Sequence, residues 1–334
     1  MSLLDQERVK LWALQKIIGP ELKRFDDVYD ELVRGDTPLV NEICTHVKQG
    51  KSKRFRPTLL LLSAKHDGKI DASAITAAAC VEMIHTATLL HDDFIDEALT
   101  RRGLPSVNHH WGPSTALIMG DYLYSKALQC LVEAELHDAL GLLANTTVLM
   151  SQAEMMQIET KYDMSIDMDT YLRIIYRKTA SLIESACRIG AGFNPQVSAS
   201  AAAFGEFGSK IGFVFQITDD VFDYLGDERR LGKPTGQDWE EGRITLPLIA
   251  ALDNAPDDLG AALLDGVNDL APEDRQDYWP EIKAFVLEHG GVEASRDLAR
   301  TYGDEAKQAL APVARGAQKD LLAVSVEYVL KRLN

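Results

Sequence analysis

The sequence predicts an all-α protein, a single large helical bundle, and three observations carry that expectation. Apolar residues recur at three- and four-residue spacing over most of the chain. Alternation of β-branched residues, the mark of strands, is scarce. Turn signals fall at intervals suited to helices of roughly 12 to 25 residues. The 334 residues are 46% hydrophobic, enough for a sizeable core, and no fixed-period repeat or Pro/Ser-rich linker divides them. One domain over 1–334 is expected.

The elements follow in order. "KQGKSKRFRP" (48–57) is a basic loop that Pro57 ends, and "RPTLLLLSAK" (56–65) is the helix after it. "AITAAACVEMIHTATLL" (74–90) is a long apolar helix running into "HDDFIDEALTRRG" (91–103). "GLPSVNHHWGPS" (103–114), "GFNPQ" (192–196), "GDERRLGKPTGQD" (226–238) and "NAPDD" (254–258) punctuate the chain. "AALLDGVNDL", "EIKAFVLEHG" and "AVSVEYVLKRLN" have the helical period, although 253–280 is more acidic and loop-like than the rest.

Charge narrows the function. With 35 basic and 51 acidic residues the net charge is -16. That balance argues against general nucleic-acid binding, because phosphate contacts need basic patches. The four cysteines, at 44, 80, 130 and 187, form no C-x-x-C pair and suit reduced thiols better than a disulfide frame or a zinc site. "MSLLDQERVK" carries charge where a secretory signal would be apolar, and Glu82 and His85 interrupt the longest greasy run. A cytoplasmic protein without an integral membrane segment is expected.

Two aspartate clusters stand out. Asp92 and Asp96 lie one helical turn apart, as do Asp219 and Asp223, and each cluster follows an apolar run. Paired carboxylates repel unless a cation joins them. A donor set without His or Cys selects a hard cation such as Mg²⁺, usually shared with substrate phosphates. An EF-hand is excluded by the absent loop glycine and ligand spacing. A solvated acidic helix end explains one such cluster; it explains two in matched contexts poorly. The cations Lys53, Arg56, Arg101, Arg102, Lys178 and Lys233, with His85, complete a bowl suited to two diphosphates.

At these residues the chain resembles the trans-isoprenyl diphosphate synthases, the polyprenyl synthetase family, over nearly its whole length. "DDFIDEALTRRG" and "FQITDDVFD" match the two aspartate-rich motifs, and "MGDYLYSKA", "KTASL" and "LGKPTGQDWEEGRITLPL" match in order. The resemblance implies the isoprenoid synthase fold around a central cavity and a homodimer. It also implies the long-chain type of activity, head-to-tail condensation of isopentenyl diphosphate onto farnesyl or geranylgeranyl diphosphate. By the same resemblance Asp92, Asp96 and Asp219, with Asp220 and Asp223, would hold two to three Mg²⁺. Arg101, Lys178, Thr179, Gln216 and Lys233 would contact the allylic diphosphate. Lys53, Arg56, His85 and Arg102 would bind isopentenyl diphosphate. One departure is that Lys51 and Ser52 stand where the family usually has two glycines.

Product length is expected from the helix before Asp92. Short-chain members of the family place aromatic rings four and five residues upstream, where this chain has Thr88 and Ala87; Ile84, Cys80 and Ala77–Ala79 follow. Each helical turn is about 5.4 Å, comparable with one isoprene unit. A product of roughly 30 to 50 carbons, as in quinone side chains, follows by that count, unless Met119, Leu123 or Leu128 from a facing helix closes the tunnel. The rival readings are a shorter-chain synthase, a class I terpene cyclase and a non-catalytic subunit. The last two fit poorly, because "DDVFDYLGD" lacks the cyclase Ser/Thr and both acid clusters are intact.

Overall fold

The computed structural model describes residues 11, 14–50, 52–225, 235–267, 270–271, 274–313 and 317–333. The architecture is all-α, as the spacing predicts. The described helices are α1 (Gly19–Leu32), α2 (Pro38–Gln49), α3 (Phe55–Ala64), α4 (Ala72–Ile95), α5 (Val107–Trp111), α6 (Pro113–Glu133), α7 (His137–Glu159), α8 (Met168–Ile175) and α9 (Ser181–Gly192). They continue as α10 (Ala201–Leu225), α11 (Gln237–Glu240), α12 (Leu246–Asn254), α13 (Asp257–Val267), α14 (Arg275–Glu288), α15 (Gly291–Ala309) and α16 (Ala317–Leu330). Two compact units are distinguished. One comprises Met1–Thr147, Leu182–Gly208 and Ala309–Ser325; the other comprises Val148–Ser181, Ser209–Gln308 and Val326–Asn334.

In the first unit every residue of α3 is buried, Arg56 included. Helix α4 packs against α6, α1 and α3. It starts at Asp71, whose carboxylate accepts the Ser73 N–H at 2.7 Å, the usual acidic N-cap. It runs unbroken through Glu82 and His85, so the apolar run is longer as a helix than the interrupted sequence suggests. By length and composition α4 could cross a membrane, but 72% of its most apolar stretch is buried inside the protein. Close packing of α4 on α6 depends on Gly120: a Cβ there would stand 2.2 Å from His91 Nε2.

Among the described residues the helices are interrupted by a short hairpin that periodicity did not reveal. Strands β1 (Thr100–Arg101) and β2 (Leu104–Pro105) pair antiparallel. Their connection, Arg102-Gly103, has φ of 53° and 79°, the two left-handed residues of a type I′ turn.

In the second unit the core gathers Tyr171, Ile217, Tyr224, Trp239, Leu248, Ile282 and Val292. Between α8 and α9, residues Tyr176–Ala180 form a π-helical turn. The acidic stretch 253–280, expected to be loop-like, contributes α13 and the start of α14.

Candidate active site

The first acid cluster ends α4. The Asp96 N–H returns to the Asp92 carbonyl at 2.8 Å, and no basic residue occupies the last turn. The carboxylates therefore sit at the carbonyl end of the helix, where the macrodipole is itself negative. Asp93 is 2% exposed. Its Oδ1 accepts the Arg101 Nε–H at 2.7 Å and a second bond from Nη2. Burial raises the Asp93 carboxyl above its ordinary range, Arg101 opposes the rise, and Asp92 and Asp96 add to it. Asp92 and Asp96 remain half-buried, one turn apart. Arg101, expected at a diphosphate, pairs with Asp93 through Nε and Nη2, a contact that the motif spacing did not reveal.

The basic residues of the same unit converge on His85. Arg56, 9% exposed, donates from Nη1 to His85 Nε2 at 3.1 Å. A guanidinium can only donate, so the imidazole is neutral with its proton on Nδ1. Burial first, then Arg56, Arg102 and Arg101, pushes the His85 pKa well below its ordinary value. Arg102 is exposed at its surface, yet desolvation by its neighbours lowers its pKa, against the pull of Glu82. Three of the four residues expected at the isopentenyl site are thus together. The fourth, Lys53, is exposed, and its carbonyl accepts Gln15 Nε2–H at 2.9 Å.

Glu82, noted in the sequence only as an interruption, is the anchor of the basic loop. It is 2% exposed and accepts Ser52 Oγ–H at 2.9 Å and Arg54 Nη1–H at 3.4 Å. Ser52 Oγ in turn accepts the Arg54 N–H at 3.2 Å. Where the family usually has glycine, this chain ties the loop to α4 through a hydroxyl. Lys51 lies outside the described residues.

The second unit assembles a hydrogen-bonded chain. Gly212 lets α10 approach the π turn: a Cβ there would stand 2.5 Å from Ala180 Cα. One turn on, Gln216 Oε1 accepts Thr179 Oγ1–H at 2.7 Å, and Gln216 Nε2 donates to Asp220 Oδ1 at 2.8 Å. Tyr171 Oη–H donates to Asp220 Oδ2 at 2.6 Å. Asp220 is 3% exposed, and burial raises its carboxyl well above the ordinary range. Thr179 from one motif and Gln216 with Asp220 from another are therefore one network; Tyr171 had no sequence signal. Lys178, from the same π turn, contacts Gln157 Oε1 at 2.6 Å and Glu154 Oε1 at 2.8 Å. Turns of this kind often mark functional sites.

The other two aspartates of α10 differ from Asp220. Asp219 keeps 40% of its side chain exposed and meets Arg332 Nη2 at 2.7 Å. Asp223 accepts the backbone N–H groups of Gln237 at 3.2 Å and Asp238 at 3.0 Å. Like α4, α10 has no basic residue in its last turn. Lys233 lies outside the described residues.

The donor set fits Mg²⁺ shared with a diphosphate. That ion takes one or two carboxylates and completes its shell with water and phosphate oxygens, and Asp92 and Asp96 offer such a pair at a negative helix end. Among the described residues no cluster of three or more His, Cys, Asp or Glu could hold an ion alone.

The arrangement has close relatives. The polyprenyl synthetase family profile matches residues 37–277. Octaprenyl diphosphate synthase of Haemophilus influenzae is 30% identical over 324 residues, 97% of each chain. Heptaprenyl diphosphate synthase component 2 of Bacillus subtilis is 35% identical, covering 97% of this chain and 91% of its own. The solved polyprenyl synthase of Caulobacter crescentus, complexed with calcium and isoprenyl diphosphate, superposes with a TM-score of 0.87 at 28% identity, over 96% of this chain and 97% of that one. By profile, sequence and fold together, the chain belongs to the polyprenyl synthetase family.

Proposed function

We propose that the protein is a long-chain trans-prenyltransferase that adds isopentenyl diphosphate head-to-tail to farnesyl or geranylgeranyl diphosphate. The observation that carries this is the Asp92–Asp96 pair at the carbonyl end of α4, in the same unit as the buried Arg56 and the exposed Arg102. Asp92, Asp96 and Asp219, with Asp220 and Asp223, would hold two to three Mg²⁺. Bound Mg²⁺ supplies positive charge to the leaving oxygens as the allylic C–O bond breaks.

The chain's own residues do the rest. Arg101, Lys178, Thr179, Gln216 and Lys233 orient the allylic diphosphate. Lys53, Arg56, Arg102 and His85 hold isopentenyl diphosphate so that its double bond faces the reacting carbon, and that positioning supplies much of the rate. His85 is not the base that removes the final proton, because Arg56 occupies its acceptor nitrogen. The proton leaves with the departing diphosphate.

The growing chain runs along α4, where Ala77, Ala78, Ala79, Cys80, Ile84 and Ala87 are all fully buried. Thr88 is half-buried and turns its hydroxyl to the His85 carbonyl at 2.8 Å. On α6, which packs against α4, Met119 and Leu123 are buried and Leu128 is half-buried. Small side chains along α4 support a product of about 30 to 50 carbons at one isoprene per helical turn, for a quinone side chain. A single functional domain, a homodimer and a cytoplasmic location complete the proposal. The four cysteines are free, which suits a reducing compartment.

Incubation with Mg²⁺, labelled isopentenyl diphosphate and farnesyl diphosphate, followed by product sizing, tests the proposal. Products of 30 carbons or more on that helix-turn scale support it; an end at 15 or 20 gives the shorter-chain reading. Light scattering tests the dimer.

A further inference from the structure

Arg275 is a cation in the core of the second unit, 2% exposed, and its neighbours are aromatic. Its guanidinium lies 3.7 Å over the Trp239 ring and 4.9 Å from that of Tyr162. Nε donates to the Trp239 carbonyl at 3.1 Å, and Trp239 Nε1–H donates back to the Arg275 carbonyl at 2.7 Å. Among the described residues Nη2 has no hydrogen-bond partner. A buried cation held by rings and one carbonyl is costly, and cation–π attraction offsets only part of that cost. Packing alone would be better served by an apolar residue.

What Arg275 holds is the segment that meets Asp223. Trp239 belongs to α11, whose first two N–H groups bind the Asp223 carboxylate, while the Asp223 carbonyl accepts the Gly236 N–H at 3.1 Å. Gly236 has φ of 84°, and a Cβ there would stand 2.5 Å from the Trp279 ring. That ring packs on Tyr224 at 5.0 Å. At the far end Gly242 has φ of 78°, with the Tyr162 ring 2.3 Å from where its Cβ would be. Rings therefore bound the segment at both ends, and Arg275 with Trp239 pins its middle.

We infer that Arg275 is a positioning residue for the second acid cluster, acting through Trp239 and α11 to fix the Asp223 carboxylate one helical turn from Asp219. The inference rests on the reading of that cluster as the cation and allylic diphosphate site. Asp223, next in the chain to Tyr224, would otherwise sample several rotamers. The pinned amides keep it in one.

The test uses the full chain with Arg275→Met, which keeps the length and removes the charge, and Trp239→Phe, which keeps a ring and removes the N–H. Hydrogen exchange at Gln237 and Asp238 reads the clamp directly; a tenfold acceleration in Arg275→Met, and a smaller one in Trp239→Phe, is expected. The Mg²⁺ concentration for half-maximal condensation should rise several-fold while the KM for isopentenyl diphosphate stays unchanged. Exchange unchanged in both variants, or equal rises in KM for both diphosphates, overturns the inference. A wild-type protein without Mg²⁺-dependent condensation would instead refute the proposed function, and exchange would then decide the clamp alone. If Arg275→Met fails to fold, Trp239→Phe carries the same two readouts.

Discussion

Arg56 donates a hydrogen bond from Nη1 to Nε2 of His85 across 3.1 Å, which fixes the imidazole as a neutral acceptor in a nest of arginines. A protonated ring would lose that bond and face Arg56, Arg102 and Arg101 as a like charge.

Stability should therefore fall on acidification. The folded-state pKa of His85 is depressed below its ordinary value, so the unfolded chain binds the proton first. The contribution is complete above about pH 6.5 and is lost progressively as pH drops below it. Urea unfolding at pH 7.5 and 5.5 should show this loss, and His85→Gln should flatten that part of the profile. An identical slope in the variant would refute the assignment.

Asp92→Asn should separate stability from activity. It removes one like charge from the carbonyl end of α4, which should stabilise the metal-free protein by about 0.3–1 kcal/mol. Condensation should fall by roughly 10²–10³, the usual effect of deleting one preorganised electrostatic group. Melting temperature without metal and kcat in its presence are the two measurements.

Gly120→Ala should destabilise by about 1–3 kcal/mol, because its Cβ falls on the His91 ring. His91 also lies 3.1 Å, through Nε2, from the Leu117 carbonyl. The double variant with His91→Ala should recover part of the loss, a coupling that chemical unfolding of all four proteins can measure.

Ala87→Tyr should shorten the product to roughly 15–20 carbons, about one isoprene per helical turn of path closed, while condensation continues. Ala87 is fully buried on α4. Thin-layer or mass analysis of dephosphorylated products reads the change, and an unaltered distribution would mean that the growing chain does not pass this residue.

The all-α architecture was legible because helical periodicity acts locally, through residues three and four apart. The hairpin at Thr100–Pro105 was not, since it depends on two positive φ values at Arg102 and Gly103 rather than on alternation. The acid motifs were legible as spacing, which paired Asp92 with Asp96 and left Asp93 aside. That Asp93 is buried against Arg101 shows only in the fold. Glu82 and Tyr171 were invisible for a related reason. Their partners lie 30 and 49 residues away, at Ser52 and Asp220, and no local pattern encodes such pairings.

The most direct test of metal-assisted condensation is transfer of label from isopentenyl diphosphate into hydrophobic product as Mg²⁺ is titrated, with and without farnesyl diphosphate. The account predicts saturable, farnesyl-dependent incorporation that a chelator abolishes. Incorporation indifferent to Mg²⁺, or none with both diphosphates and the metal present, would contradict it.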